Sequence, residues 1–366
     1  MTVETSTGAA AAPRLGLAPS VRLLAVEPDV IRLRWGIWNF QEVTVDLRAE
    51  SPAVRTALTG FLHELADGRT AEASFDGNTD LSPVERANLR LVLDELRQAG
   101  FLALDRASER GTDMARVLLG NLELYGTDEG GGASVAFAAD SPTAEAYVAG
   151  QASALGTTIE VLPAEFMREL QGADLTSGMG GLTAADTLKR LTVLTERHDS
   201  LVVSVSRASI LTLRNLNRLA CHLEKPVVVG LVDGPFATVV GAESPRTGCL
   251  ECFEQRSLAR LEDHVSYHAF VGTGASGAIG GASGIEAMLC AFLVNEAVLL
   301  RALGTSRFLG RALSIYLPTY EIQAQDVLRI GTCPACGHVA RDIVHEINVN
   351  SRVVVDRHVR NALGAS

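Results

Sequence analysis

The sequence predicts an α/β protein in two parts, a small winged helix-turn-helix-like element and a larger doubly wound domain pinned by four cysteines. Three observations predict it. Short segments between residues 21 and 47 alternate apolar and polar side chains, and two segments with helix-start signals follow. From about 112 to 245, continuous apolar runs alternate with amphipathic stretches. Two C-x-x-C pairs stand at Cys249/Cys252 and Cys333/Cys336.

The chain has 366 residues, room for two or three domains. Hydrophobic residues make up 47% and charged residues 20%, a globular composition rather than a disordered one. The net charge of −11, with no long basic run, argues against nucleic acid as a partner. No segment reaches the roughly 18 consecutive apolar residues of a membrane span. The opening MTVETSTGAAAAPRLGLAPS lacks the basic end and apolar stretch of a secretory signal, so a cytoplasmic location is expected. Residues 1–20 are expected to be flexible.

Residues 21–106 form the first unit. Ile31, Leu33 and Trp35 alternate with Arg32 and Arg34, and Val43, Val45 and Leu47 alternate with Glu42, Thr44 and Asp46. With 21–26 they predict a three-stranded antiparallel sheet, 21–26, 30–35 and 42–47. Ser51-Pro52 and Ser82-Pro83 each place a capping serine before a proline at the first helical position. Leu58, Phe61, Leu62 and Leu65 give the first helix one apolar face; Leu89, Val92, Leu93 and Leu96 do so for the second, which Gly100 ends. Residues 21–100 carry nine arginines against thirteen acidic residues, a poor match to DNA. Arg86, Arg90 and Arg97 nevertheless share a helix face with Leu93 between them. Two readings stay open: a solvated face with acidic partners, or a groove for an acidic, partly hydrophobic peptide. If Val43, Thr44, Val45, Asp46 and Leu47 form an edge strand, their backbone can pair with an extended peptide.

The second unit spans 112–366. Expected strands are Arg116–Leu119, Ser134–Ala138, Thr158–Leu162, Leu201–Ser206, Val227–Val232 and Thr238–Val240, with helices at 142–154, 183–197 and 209–223. After Arg116–Leu119 comes Gly120-Asn121-Leu122-Glu123, which lacks the later glycines of a phosphate-binding turn. Gly272-Thr273-Gly274-Ala275-Ser276-Gly277 matches that pattern formally but lies far downstream and reads as a loop. No ATP site is expected. Gly284–Leu303 is a long apolar helix, either core or a homodimer contact, and Leu313–Leu317, Glu321–Arg329 and 347–355 read as strands.

Each C-x-x-C offers two thiolates from one tight turn. Two such knuckles, 249–252 and 333–336, make a tetrahedral, structural four-cysteine zinc site with no position left for substrate water. A rival set, Cys249, Cys252, His264 and His268, leaves the second pair unexplained. Cys221 and Cys290 lie in apolar helical patterns and read as core.

The segment Pro226–Arg256, PVVVGLVDGPFATVVGAESPRTGCLECFEQR, resembles ThiF-like proteins, relatives of the ubiquitin-activating enzymes, and GTCPACG resembles their second zinc knuckle. LHELADGR at Leu62–Arg69 and the pattern of Leu93–Leu102 resemble the peptide-recognition element of ribosomal natural-product pathways. Together they resemble the leader-peptide-binding, ThiF-like partner proteins of azoline-forming cyclodehydratases in thiazole/oxazole-modified microcin, bacteriocin and thiopeptide biosynthesis. The resemblance implies a non-catalytic subunit. It captures a precursor's leader peptide and delivers the core to a separate YcaO-type enzyme, which uses ATP to cyclise Cys, Ser and Thr. It implies that the leader adds beside the third strand and packs on the third helix, by position Val43–Leu47 and Arg86–Arg97. The alternative is a divergent ATP-dependent adenylating enzyme acting on a peptide; a metal-sensing transcription regulator is a third reading.

Overall fold

The computed structural model describes residues 14–27, 29–36, 41–67, 71–72, 75–104, 110–120, 133–176, 181–206, 209–263, 266–267 and 283–337. The chain divides into two compact units, Met1–Thr127 and Asp128–Ser366.

In the first unit, β2 (Val21–Glu27), β3 (Val30–Trp35) and β4 (Gln41–Asp46) form the expected antiparallel sheet in the order β2-β3-β4. Ile31 and Leu33 are fully buried, while Arg32 and Arg34 take the opposite face, as the period of two requires. Helices α1 (Pro52–Ala66) and α2 (Pro83–Gln98) close over the apolar face through Leu58, Leu62, Leu65, Leu89, Leu93 and Leu96. Ser51 caps α1, and Ser82 and Glu85 make a reciprocal capping box at the start of α2. The Ser51 hydroxyl also donates to Glu85 at 2.6 Å, so one carboxylate ties both helix starts together. These donors hold Glu85 at about 2, below the ordinary carboxylate value.

Two expectations change here. Arg14–Leu17, placed in a flexible N terminus, is a strand (β1) paired antiparallel with β5 (Ala71–Glu72) and β6 (Leu102–Leu104). Its partners lie some 55 to 90 residues downstream, beyond the reach of local pattern. Arg116–Leu119, expected to open the parallel sheet, instead lies at the end of helix α3 (Arg110–Leu118). A short apolar run does not distinguish strand from helix.

In the second unit, the sheet runs β13-β12-β11-β10-β9-β7-β8 among the described residues. Its parallel half is β7 (Val135–Ala139), β8 (Glu160–Val161), β9 (Ser200–Val205) and β10 (Val227–Asp233). An antiparallel meander continues through β11 (Phe236–Ala242), β12 (Arg311–Tyr316) and β13 (Glu321–Asp326). Helices α4 (Pro142–Leu155), α5 (Ala164–Gly172), α6 (Gly181–Thr195), α7 (Ile210–Leu223), α8 (Leu250–Leu258) and α9 (Ser283–Leu303) complete it. Alternate strand residues feed two cores. Ala136, Val203 and Val229 pack with α5, α6, α7 and α8; Phe137, Val202 and Val228 pack with α4 and α9. Leu289, Leu293, Val294 and Leu300 of α9 are all buried in the latter core, and Cys290 with them. No helix among the described residues is long and apolar enough to cross a membrane. The expected strand at 347–355 and the glycine pattern at 272–277 lie outside the described residues.

Candidate metal centre and open sheet edge

Cys249 is the N-cap of α8 and Cys252 lies in its first turn, so a loop-to-helix junction presents both sulfurs from one side. The chain leaving β13 turns back to supply Cys333 and Cys336, closed by Cys333 N–H on Ile330 carbonyl and Gly337 N–H on Cys333 carbonyl. The four sulfurs lie within 4.8 Å of one another and all four residues are buried. Sγ separations are 3.8 Å for Cys249–Cys252, 3.5 Å for Cys249–Cys333 and 3.3 Å for Cys252–Cys336. None is a disulfide. A zinc ion held at about 2.3 Å by four thiolates sets them about 3.8 Å apart, so the cluster has the size and donor chemistry of a metal site. Sulfhydryls of Cys221, Cys252, Cys333 and Cys336 stabilise a thiolate on Cys249 and hold it far below the usual thiol range, while Cys333 and Cys336 are pushed up by that neighbour. His264 and His268, the rival ligands, lie outside the described residues.

Spacing alone did not reveal how the knuckles are held. Asn217 of α7 is buried; its amide donates to Cys249 Sγ at 3.5 Å and to Glu251 at 3.1 Å, and its carbonyl accepts Leu250 N–H at 2.9 Å. Arg218 reaches Glu251 of the first knuckle and the Pro334 carbonyl of the second, bridging the two. Desolvation raises the Glu251 pKa, with the guanidinium working against it. Gly248 lets the first knuckle approach the chain after β13: a Cβ there would sit 2.3 Å from the Val327 carbonyl oxygen. The available signal was two asparagines, 215 and 217, flanking Leu216 in an amphipathic helix whose buried residues include both. Cys221, read as core, is half-buried on that same helix and adjoins the cluster.

At the turn after β7, where a doubly wound fold places a phosphate-binding loop, the residues are Asp140, Ser141 and Pro142. The Asp140 carboxylate accepts from Ser206 N–H and Oγ at 2.8 and 2.7 Å.

In the first unit, β4 pairs with β3 alone and forms the margin of its sheet among the described residues. Leu47 N–H donates to the Asp29 carbonyl on the β3 side at 2.8 Å. The two-residue period then turns Val43 and Val45 N–H toward β3, and those of Glu42, Thr44 and Asp46 toward the open margin. Val43 and Val45 side chains are half-buried toward the core, Thr44 and Asp46 are exposed, and Leu47 is buried. On α2, Arg86 donates to the Asp76 carbonyl at 3.2 Å, Arg90 pairs with the Asp76 carboxylate, and Arg97 lies 3.4 Å from Asp94. Leu93 is 2% exposed and packs in the core. Arg90 and Arg97 therefore each stand beside a carboxylate and Arg86 beside a backbone carbonyl, while Leu47 and Leu93 pack in the core.

Among solved structures, the chain superposes on the heterocyclase TruD with a TM-score of 0.54 at 16% identity, over 88% of this chain and 43% of that one. A heterocyclase in complex with substrate and cofactor gives 0.54 at 13%, over 88% and 39%. MccB from E. coli gives 0.50 at 13%, over 88% and 96%. The chain spans less than half the length of the two heterocyclases. No protein-family model and no curated protein sequence matches. At these identities the likeness is one of fold, shared with two heterocyclases and MccB.

Proposed function

We propose that this chain is a non-catalytic, leader-peptide-binding delivery subunit, with a winged-helix-like recognition element in its first unit. It presents a ribosomal precursor to a YcaO-type cyclodehydratase that forms azolines from Cys, Ser and Thr. The observation that carries this reading is the open margin of β4, where the outward N–H groups of Glu42, Thr44 and Asp46 offer a ladder to an extended peptide. The fold shared with two heterocyclases and MccB supports it. Asp140 supports the absence of nucleotide chemistry, since a carboxylate at the first strand's end repels phosphate. The adenylating alternative gains nothing from that turn.

Zinc held by Cys249, Cys252, Cys333 and Cys336 supplies a cross-link in this reading and no reaction step. Asn217 and Arg218 orient the knuckles that carry it.

The test uses the full chain and fluorescently labelled N-terminal halves of short Cys-, Ser- and Thr-rich peptides encoded beside its gene. Thr44→Pro deletes one outward N–H without touching the β3 ladder, a position where an edge strand tolerates proline. Loss of one or two strand-addition hydrogen bonds, about 1 kcal/mol each, predicts roughly five- to thirtyfold weaker binding. Unchanged affinity for a peptide that the native chain binds refutes the edge. A YcaO-type partner that loses one water per ring from the peptide equally well without this chain refutes delivery.

A further inference from the structure

We propose that the outer face of the β2-β3-β4 sheet is a charge-reading surface that selects carboxylates on an extended peptide bound along β4. The inference rests on the peptide-binding reading of β4 and moves charge selection from α2 to the sheet.

The register builds the surface. Arg22 lies opposite Arg34, and Leu24 opposite Arg32, between β2 and β3. Arg32 lies opposite Thr44, and Arg34 opposite Glu42, between β3 and β4. These six residues share one face, because Leu23, Ile31, Leu33, Val43 and Val45 of the same strands pack into the core. The face holds three arginines against Glu42 and, two residues beyond Thr44 on β4, Asp46, whose carboxylate is taken by Arg48; the net charge of the whole chain is −11. Glu42 serves two of them: Arg34 at 2.7 Å and Arg32 at 3.5 Å.

Two features mark this face as one that favours negative charge. Arg22 and Arg34 are directly opposed, which concentrates positive charge on one stretch of the face. Arg32 Nε is shielded from solvent and makes no hydrogen bond among the described residues, while its side chain remains 41% exposed. The α2 arginines differ, since Arg86 and Arg90 already engage Asp76.

A strand added to β4 lies about 4.8 Å beyond it and about 9.6 Å from β3. Alternate guest side chains then project onto the arginine face. The exposed, small Thr44 leaves the path from Arg32 to the margin open, so a guest glutamate across from Thr44 meets the guanidinium over it. A guest carboxylate across from Glu42 is repelled. With Asp46 on the other side of Thr44, the surface therefore selects an acidic residue at one outward position and disfavours one two residues away in either direction. A duplex is the poorer occupant, because a polyanion gains nothing from a β margin and faces an acidic chain.

The experiment selects a displayed library of random peptides on the full chain, in parallel with Arg32→Gln/Arg34→Gln, Arg32→Glu/Arg34→Glu and Thr44→Pro, each checked for an unchanged melting transition. Native binders should be lost on Thr44→Pro and should be enriched in carboxylates at a fixed outward position. They should bind the glutamine double variant about tenfold more weakly. The glutamate double variant should enrich lysine and arginine there instead, which a merely structural role for these arginines would not produce. Binders that need the β4 margin but show no acidic preference, or keep it in both arginine variants, overturn this inference and leave the edge reading standing. Absence of any binder sensitive to Thr44→Pro overturns both. An arginine-dependent affinity for a labelled duplex exceeding that for the peptides overturns the choice of occupant.

Discussion

Replacing Gly248 by alanine tests the metal centre without removing a ligand. The added Cβ would lie 2.3 Å from the Val327 carbonyl oxygen, 2.9 Å from Val327 carbonyl carbon and 3.0 Å from that of Leu328. All three are backbone atoms, so no side chain can rotate away. Relief requires the strand leaving β13 to retreat by about 1 Å from the first knuckle, given normal carbon–oxygen contact of about 3.3 Å. That retreat carries Cys333 and Cys336 away from Cys249 and Cys252, whose sulfurs now stand 3.3 to 3.8 Å apart. Overpacking of this kind costs about 1–3 kcal/mol. Falling wholly on the site, it weakens metal retention by roughly five- to 150-fold. Zinc competition against a chromogenic chelator measures this directly, with Gly331→Ala as control, because a Cβ at Gly331 meets nothing within 4 Å. Equal zinc retention by Gly248→Ala and the native chain refutes the reasoning, as does an equal loss in Gly331→Ala.

Other perturbations give separate readings. Glu296 is fully buried and accepts from Ser306 Oγ at 2.7 Å and Arg307 N–H at 2.9 Å, so Glu296→Ala should lower urea stability by about 3 kcal/mol; a shift within error would show those donors find other partners. Glu85 has its pKa lowered from 4.5 to about 2, so its stabilising contribution is present above pH 4.5 and is lost as pH falls toward 2. Glu85→Gln should therefore flatten the acid side of the melting profile across that window, and an unaltered profile would disprove the linkage. Arg218→Met should ease zinc release, and Arg218→Met combined with Glu251→Gln should recover part of the loss by removing the stranded buried charge. Zinc release from the double variant no slower than from the single one would show that the stranded charge is not the cause.

Periodicity made most of the fold legible. The alternation at Ile31–Trp35 and Val43–Leu47 placed the three-stranded sheet, and apolar runs such as Val227–Val232 placed the parallel strands within a residue or two. Local pattern failed where partners were distant or short runs were ambiguous. β1 is four residues long and contains a glycine, and α5 has no capping side chain to announce it, though Phe166, Met167 and Leu170 form its buried face. The four cysteines were legible because two turns with matched spacing say little else. Their supports were not, because Asn217, Arg218 and the close pass at Gly248 depend on α7 and the end of β13 coming together. The outer arginine face lay in plain view as alternation, but the opposition of Arg22 and Arg34 emerges only from the register of β2 on β3.

Cys249 and Cys333 stand 84 residues apart, yet their sulfurs nearly touch. Closing so long a span by any one contact demands much chain entropy, and here the closure is concentrated in a single small cluster. The hairpin of β12 and β13, whose outer strand is exposed at every residue, is fastened at its far end by that clasp. On the zinc reading proposed above, a cell short of that metal makes a protein whose outermost ribbon keeps only β12 and the Arg256 and Arg260 contacts from the end of α8, and the first casualty is the border of the second unit rather than its centre.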